Sequence, residues 1–538
     1  MPTPGKPWPG RAILRPFSNP TSCLRAFVRP ALTLVQSDPH ASFIWEEAMD
    51  RRDLLKTSSA LGLLSATTLI ADEPAADFIY GYAGQLSYEP GDQLKLHVST
   101  SVRRYSVEIA RIGGKREVVY QKENLAGARL ATPLNAATHG CGWPVSFKLP
   151  IAKKWRSGYY SVTMKATVSG GNSIQAEAFF VVRSASRKPR SRILLVLTTN
   201  TYNAYNNWGG PCLYESGKLP LQGDRVSFQR PMARGFLTKP KGKLSRWSPY
   251  AGWTNWEQPF VQWAEKAGYQ IDYAVNSDLE RHPQLLKNYR LMLSVGHDEY
   301  WSAPMRNQVE SFIANGGNVA FFSGNVCYWQ VRSEEKGDGM VGYKFNYKQD
   351  PCYAKKQYKL LSTLWSNKLV GRPENQLTGV SFNYGGYHRF QSVPRGASGY
   401  TIHRPQHWVF EGTKLQWGDL LGSREKIVGY ECDGCDYELK DGLPVPTHRD
   451  GTPPGFQILA LAPARLWDSD LEFASQSLFG DSKHKNRFTH GSATMGIYTR
   501  GGTVFTTGCT EWSRGLAGKN PLVQRITRNL LDRLSKRS

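Results

Sequence analysis

The sequence predicts an all-β N-terminal region followed by an α/β domain built on a parallel sheet. Two observations predict this division. Apolar and polar residues alternate with period two through residues 77–185, as in strands with one buried face. After a short basic linker at Ser184–Ser191, continuous apolar runs alternate with amphipathic helical patterns. That second pattern is typical of strands covered by helices on both faces.

The composition excludes several classes of protein. With 538 residues, 40% hydrophobic and 12% aromatic, the chain is not intrinsically disordered. Its 68 Lys and Arg against 44 Asp and Glu give a formal charge of +24. These cations are spread along the chain rather than concentrated on one helix or arm, so no nucleic-acid partner is expected. No apolar run of 18 residues occurs outside the N-terminal region, so we expect no transmembrane anchor in the mature protein.

The N-terminus contains the parts of an export signal. Arg51-Arg52-Asp53-Leu54-Leu55-Lys56 is a twin-arginine motif, and a short apolar stretch from Ala60 to Ala71 follows it. We therefore interpret residues 49–76 as a twin-arginine signal peptide, and residues 1–48 as a segment upstream of a translation start at Met49. The predicted location is the periplasm or the exterior.

Residues 77–185 are predicted to form a β-sandwich. The clearest strand places Tyr160, Val162, Met164 and Ala166 on one face, with Ser, Thr and Lys between them. Gly-containing turns separate the predicted strands. No catalytic candidate lies in this region, so we expect an immunoglobulin-like accessory domain.

Residues 190–538 are predicted to form the α/β domain, with β-rich insertions from about residue 340 to 490. Its first strand is Ile193–Leu197, and one helix is expected to start at Ser302 with Pro304 in its first turn. Alternating strands and helices favour right-handed crossovers and a parallel sheet. Ligand sites of such sheets lie beyond the carboxyl ends of the strands, which directs attention to residues 198–210, 296–301 and 323–332.

The densest group of reactive residues is Gly296-His297-Asp298-Glu299-Tyr300-Trp301, directly after an apolar strand. Its side chains can bind a metal, transfer a proton or donate hydrogen bonds, and His297 is a candidate catalytic residue. The alternative is a structural corner in which Asp298 or Glu299 caps the chain.

A second candidate is Glu511 in Thr510-Glu511-Trp512, where desolvation beside Trp512 would suit a general base. The alternative is an exposed glutamate in a turn. Tyr202 and Tyr205 add hydroxyl groups just past the first strand, although both could serve loop packing. Cys432 and Cys435 form the only CxxC pair, which is either a local disulfide or an accident of the loop.

The turn Ser323-Gly324-Asn325-Val326-Cys327 is similar to the strand-to-helix turn that presents a cysteine nucleophile in amidotransferases. It favours an amidotransferase-like arrangement of the sheet. The glycine spacing does not fit a nucleophile elbow, and bulky Tyr328 and Trp329 follow. We therefore interpret this turn as structural packing.

Several longer strings together resemble one known family. In chain order they are AYNNWGG, VSFQRP, QPFVQWAEKAGYQIDY, SVGHDEYWS, GGNVAFFSGN, ENQLTG, HWVFEGT and GCTEWSRGL. They resemble the C-terminal domain of the large (beta) subunit of N,N-dimethylformamidase. The resemblance covers about residues 195 to 535.

The resemblance implies an amidohydrolase with a mononuclear iron held by two tyrosine phenolates and one glutamate. On the matching motifs, Tyr300 would be one tyrosine ligand, Glu374 the carboxylate ligand and Glu511 the base. The second tyrosine does not align uniquely. Tyr202 is one candidate, and Tyr250 and Tyr273 compete with it.

The resemblance also bears on substrate and partners. The large subunit of that enzyme is longer than this chain and works with a small subunit, so we expect a homo-oligomer or a small partner subunit. The substrate would be a small amide or an envelope-derived compound with an amide-type C–N bond. The alternative function is a catalytically inactive envelope protein that binds a glycan or another acidic polymer through its basic surface.

Overall fold

The computed structural model of the chain describes residues 76–185, 189–214, 223–334, 337–389 and 396–536. Residues 1–48, nearly all of the predicted signal peptide and part of the basic linker lie outside the described residues. None of the described helices combines the length and apolarity that crossing a membrane requires.

The N-terminal region is built from two sheets around one hydrophobic cluster. The first has the order β1-β3-β6 and the second β2-β8-β7-β4-β5, and only β2 and β8 pair in parallel. Buried side chains from both sheets, among them Leu96, Ile109, Val162 and Phe180, form the cluster. The elements are β1 Ile79–Ala83, β2 Ser87–Tyr88, β3 Gln93–Thr100, β4 Arg104–Ile112, β5 Arg116–Ala126, α1 Ala136–His139, β6 Phe147–Pro150, β7 Gly158–Thr167 and β8 Ser173–Val182.

The prediction for this region is confirmed in part. The strands form, and Val162 and Met164 of β7 are buried while Lys165 and Thr167 are exposed. The opposite face of the sheet is also covered, because Tyr159 stacks on Trp253 of the following region with ring centroids 4.0 Å apart. An immunoglobulin-like topology stays a prediction.

The remainder of the chain is organised around a nine-stranded sheet with the order β11-β9-β12-β14-β25-β24-β23-β18-β19. Its strands are β9 Ile193–Leu197, β11 Asp272–Val275, β12 Leu291–His297, β14 Asn318–Gly324, β18 Tyr400–Ile402, β19 Leu420–Leu421, β23 Gln457–Ala464, β24 Gly491–Arg500 and β25 Gly502–Thr506. Further strands are β10 Arg225–Ser227, β13 Tyr300–Ser302, β15 Trp329–Glu334, β16 Gly339–Val341, β17 Ser381–His388, β20 Tyr430–Gly434, β21 Tyr437–Lys440 and β22 Leu443–Pro446.

The predicted α/β parallel-sheet, amidotransferase-like fold class is wrong. The five strands from β11 to β25 are parallel, but β24, β23, β18 and β19 extend the same sheet antiparallel. The cause is the hairpin at Gly501-Gly502, which joins β24 to β25. Because β25 pairs in parallel with β14, its hairpin partner β24 must run in the opposite direction. Most pairings in the other described sheets are antiparallel as well.

The helices cover the sheets and support the loops. Ser302 caps α5 by accepting a hydrogen bond from the Met305 amide, and Asn520 caps α10 at the amides of Leu522 and Val523, as those sequence signals predict. The helices are α2 Thr199–Tyr205, α3 Glu257–Lys266, α4 Asn276–Arg281, α5 Ala303–Ala314, α6 Pro351–Ala354, α7 Asn375–Thr378, α8 Asp468–Phe479, α9 Ser513–Ala517 and α10 Pro521–Leu534. Short 3-10 helices lie at Ser248–Tyr250, Leu285–Asn288, Lys344–Gln349, Tyr358–Leu360, Trp408–Phe410 and Lys485–Phe488.

Candidate active site

The segment after β12 is shaped by one glycine. Gly296 has a φ of +88°, and a Cβ there would lie 2.5 Å from Cβ of Trp256, so only glycine fits without rearrangement. Asp298 accepts hydrogen bonds from Ser294 Oγ (2.8 Å) and Asn276 Nδ2 (3.3 Å), away from the neighbouring His297 and Glu299. Asp298 therefore forms the structural corner that the sequence suggested as an alternative, while His297 and Glu299 meet in a separate cluster.

Glu299 is the centre of that cluster. Its carboxylate accepts hydrogen bonds from Tyr214 OH (2.9 Å to each oxygen), from Tyr205 OH (3.2 Å) and from Trp329 Nε1 (2.7 Å). Burial opposes ionisation of Glu299, but the positive charge of His297 outweighs it and holds the pKa of this carboxyl below its ordinary value. Glu299 is thus an ionised carboxylate with two tyrosine hydroxyls beside it.

His297 lies between two carboxylates. Its Nε2 is 2.7 Å from Glu431 Oε2 and 3.2 Å from Glu299 Oε2. Its Nδ1 is 2.7 Å from the carbonyl oxygen of Tyr250, which fixes the orientation of the ring. Burial disfavours the charged imidazolium, but Glu431 and Glu299 outweigh burial and hold the pKa of His297 well above its ordinary value.

Glu431 enters the cluster from β20. Asn325 Nδ2 donates to its carboxylate at 3.1 Å. Asp433, two residues further along the strand, accepts the backbone amides of Asn325 (2.8 Å) and Val326 (3.2 Å). These contacts hold Asn325 at a φ of +50°, so Asp433 positions the turn that places the Asn325 amide against Glu431.

Two further side chains support the tyrosines. Tyr300 OH donates to Tyr214 OH at 2.6 Å. Lys344 Nζ lies 3.3 Å from the centroid of the Tyr214 ring and donates to the carbonyl of Leu213 at 3.0 Å. Burial lowers the pKa of Lys344 to about 8, and it also raises the pKa values of Tyr205 and Tyr214 well above the ordinary value, with the Glu299 charge adding to the effect.

Aromatic side chains form one side of the cluster and reach the surface. Tyr250 and Tyr430 are half-buried with ring centroids 5.6 Å apart, and Trp247 lies 6.1 Å from both Tyr205 and Tyr250. His297 and Glu299 beneath them are buried. The charged groups therefore lie in buried, low-dielectric surroundings, beneath half-buried aromatic side chains that form a rim at the surface.

The structure brings together some of the predicted site residues and separates others. His297 lies in the cluster, and Tyr300 reaches Glu299 only through Tyr214, to whose hydroxyl it donates. Tyr202 OH instead donates to Glu257 at 2.6 Å, and Glu374 accepts from Ser381 in another buried location. Glu511 pairs with Arg389 and with Arg514 (3.1 Å) outside the cluster.

The two tyrosines that competed with Tyr202 also separate. Tyr273 OH donates to Glu265 at 2.9 Å rather than to Glu299. Tyr250 lies at the rim, and its carbonyl holds His297. Neither has its hydroxyl on Glu299.

Of four residues of the cluster, the sequence analysis named Tyr205 and Glu299 only as members of their loops, without a specific role, and did not name Tyr214 or Glu431. A signal existed for three of them. Tyr205 lies three residues after Tyr202, Glu299 lies next to the chosen Tyr300, and Glu431 is an acid within a segment rich in small and apolar residues. For Tyr214 no local signal existed, because its neighbour Glu299 is 85 residues away.

A family profile described as "N,N-dimethylformamidase beta subunit-like, C-terminal" matches residues 106–525, more than three quarters of the chain. The chain belongs to this family. The match begins within the N-terminal β region and includes every residue of the cluster.

Two curated relatives carry the same name. The N,N-dimethylformamidase beta subunit of Paracoccus aminophilus is 23% identical over 455 residues, and that of Alcaligenes sp is 22% identical over 457 residues. Each alignment covers 74% of this chain and 55% of the relative, so the chain spans about half the length of the curated relatives it matches. A solved structure of murine CRIg matches 20% of this chain and 98% of its own, at 12% identity and a TM-score of 0.15, which is too low to support any inference.

Proposed function

We propose that the protein hydrolyses an amide C–N bond other than a peptide bond, using a mononuclear iron held by Tyr205, Tyr214 and Glu299. One observation carries the proposal. Three oxygen ligands meet beside a histidine and a second glutamate in a buried cluster beneath an aromatic rim. Membership of the N,N-dimethylformamidase beta subunit-like family supports this choice of reaction.

The donor set fits a hard metal ion. Among the described residues, no group of three or more His, Cys, Asp or Glu side chains could hold a metal, so a site here depends on phenol oxygens. Both phenols donate hydrogen bonds to the Glu299 carboxylate. Their raised pKa values keep both hydroxyls protonated unless a cation replaces the protons. Phenolate and carboxylate oxygens are the donors that a ferric ion prefers. When bound, such an ion supplies Lewis-acid polarisation of the amide carbonyl.

The paired side chains His297 and Glu431 provide the proton transfers. Hydrolysis must remove a proton from water and add one to the leaving amine. Glu431, held by Asn325, is suited to accept the water proton. His297, protonated between the two carboxylates, is suited to donate its Nε2 proton to the leaving nitrogen. The 2.7 Å contact between them lets Glu431 return its proton to His297 and restore both groups.

A partner and a location belong to the same proposal. Because the matched relatives are named as beta subunits, we propose that this chain also works with a second subunit.

We further propose export by the twin-arginine route, which the Arg51-Arg52 motif supports. Cell fractionation of a double Arg51→Lys, Arg52→Lys variant should find the protein retained in the cytoplasm.

The test of the function is release of an amine from a panel of formamides and N-acyl compounds by protein produced with iron. Glu431→Gln should lower kcat by about a hundredfold or more, because it removes the base, while iron stays bound. Glu511→Gln is the matched control, since Glu511 pairs with Arg389 and Arg514 outside the cluster.

Two outcomes would contradict the proposal. One is full turnover by Glu431→Gln. The other is a wild-type protein that contains iron and releases no amine from any compound, which would favour the alternative of a binding protein.

A further inference from the structure

Two of the cysteines meet across a short antiparallel ladder. Cys432 lies in β20, and Cys509 lies in the segment that follows β25. The two residues are direct partners in a β-bridge between these segments. Both side chains are buried, belong to the same hydrophobic cluster and carry free thiols. Two thiol groups therefore lie side by side in the core, next to Glu431 in the chain.

The backbone hydrogen bonds around this bridge define its type. The Asp433 amide donates to the Gly508 carbonyl at 3.0 Å. The Thr510 amide donates to the Glu431 carbonyl at 3.2 Å. Because both bonds join the residues that flank the cysteines, the cysteines form a non-hydrogen-bonded pair, in which the two Cα atoms lie about 4.5 Å apart. A disulfide requires Cα atoms about 4.4 to 6.8 Å apart, so the backbone already has a suitable spacing.

Cys435 is placed differently, although it forms the CxxC pair with Cys432. Its side chain belongs to the other large hydrophobic cluster of this region. The chain between the two cysteines is extended as far as Gly434, and three extended residues span about 10 Å. That distance exceeds the limit of about 7 Å between the Cα atoms of a disulfide. The local CxxC disulfide suggested by the sequence therefore does not fit this backbone.

We propose that Cys432 and Cys509 form a cross-strand disulfide when the protein meets a disulfide oxidant such as oxidised glutathione. One cysteine thiolate attacks the oxidant and releases one glutathione thiol, and the second cysteine displaces the other glutathione from the mixed disulfide. The two cysteines lose two protons and two electrons, and the oxidant becomes two thiols. Export, as proposed above, would bring the pair into a compartment in which disulfides persist. The reaction does not require the hydrolase activity proposed above.

The disulfide would fasten the part of β20 that contributes to the Glu299 cluster. Glu431 and Asp433 flank Cys432, and each has a backbone hydrogen bond to the segment that contains Cys509. Asp433 also accepts the backbone amide of Asn325. A covalent link between these two hydrogen bonds would keep both closed during local fluctuations of the fold.

Burial makes the reaction slow in the folded protein. It raises the pKa of both thiols, to about 11 for Cys509, so that little reactive thiolate is present. Cys509 Sγ also donates to the Ile427 carbonyl at 3.1 Å, a weak hydrogen bond that oxidation removes. The two segments must therefore separate before the oxidant can enter. The same burial would protect the finished bond from reductants.

Peptide mass spectrometry of protein incubated with oxidised glutathione tests this pairing. Urea concentrations up to the unfolding midpoint allow the segments to open, and alkylation after full unfolding marks the thiols that remain free. We expect one peptide pair joined through Cys432 and Cys509, lighter by two hydrogens than the reduced peptides. The other buried cysteines, such as Cys327 and Cys435, should be alkylated. The bridged protein should also unfold at a urea concentration higher by about 0.5 M.

Two variants separate this pairing from others. Cys435→Ser, which removes the CxxC motif, should still form the bridge. Cys509→Ser should leave Cys432 alkylated, and the oxidant should not change its urea midpoint. A bridge between Cys432 and Cys435 in the wild type would overturn the proposal. So would alkylation of both Cys432 and Cys509 after incubation with the oxidant at the unfolding midpoint.

Discussion

Two buried tyrosines of the same short helix each donate a hydrogen bond to a buried glutamate, but the two glutamates have different surroundings. Tyr202 of α2 donates to Glu257 at 2.6 Å, and Tyr205, three residues later, donates to Glu299 at 3.2 Å. Among the described residues, the other side-chain donor to Glu257 is Thr198 Oγ1 at 2.8 Å, and no described cation forms an ion pair with this carboxyl. Glu299 has His297 beside it and the charge of Lys344 nearby.

The difference appears in the ionisation of the two carboxyls. Burial raises the pKa of Glu257 to about 7, whereas His297 and Lys344 outweigh burial at Glu299 and hold its pKa below the ordinary value. A tyrosine next to a buried glutamate is therefore not by itself a functional site. The positive charge that keeps the carboxylate ionised, together with a second phenol, distinguishes the Glu299 cluster.

Exchanging each carboxylate for an amide should separate the two contacts most strongly. Glu299→Gln should lose bound iron and lower kcat/KM by about a thousandfold or more, because it removes an anionic donor at the centre of the cluster. Glu257→Gln should keep both. Metal analysis and amine release on the same preparations check this, and iron content unaffected by Glu299→Gln would contradict it.

The pH dependence of stability should have opposite signs at the two carboxyls. Glu257 has a folded-state pKa raised from 4.5 to about 7, so its contribution is full below about pH 4.5 and is lost as the pH rises through 7. Relative to the wild type, Glu257→Gln should therefore gain about 3 kcal/mol in free energy of unfolding from about pH 4.5 to pH 8. The folded-state pKa of Glu299 is lowered, so its contribution is present above the unfolded pKa and is lost toward acid pH.

Urea unfolding of the wild type, Glu257→Gln and Glu299→Gln from about pH 3 to pH 8 measures this contrast. The metal must be removed first, because a bound ion would stabilise the folded state independently. Parallel curves for wild type and Glu257→Gln would show that burial does not shift this carboxyl.

The sequence predicted the parts of the fold that depend on interactions between neighbouring residues, and it did not predict those that depend on residues far apart in the chain. The start of α5 at Ser302 and of α10 at Asn520 could be predicted because a cap and a following proline act within one turn. The antiparallel part of the nine-stranded sheet could not be predicted. It arises because β25 pairs in parallel with β14, some 185 residues earlier in the chain, and antiparallel with β24 on its other side. Local apolar runs look alike in both arrangements.

The same distinction holds for the site. The loop after β12 was found from its residues, because an apolar strand that ends in His297, Asp298 and Glu299 is conspicuous. The backbone conformation after Gly296 decides that Glu299, and not Asp298, faces the cluster. Tyr205 and Tyr202 differ only in the direction each side chain takes from α2, which tertiary packing decides. Glu431 approaches through β20, whose partner across the β-bridge, Cys509, is 77 residues away from Cys432.

The visible absorption of the isolated iron-containing protein tests the central claim most directly, because a phenolate bound to ferric iron absorbs visible light and a phenol hydrogen-bonded to a carboxylate does not. We predict a band proportional to the iron content in the wild type and in Tyr202→Phe. Tyr205→Phe should lose or strongly shift the band, and so should Tyr214→Phe. An iron-containing wild type without the band, or a band unchanged in Tyr205→Phe, would contradict the assignment of the metal to the Glu299 cluster.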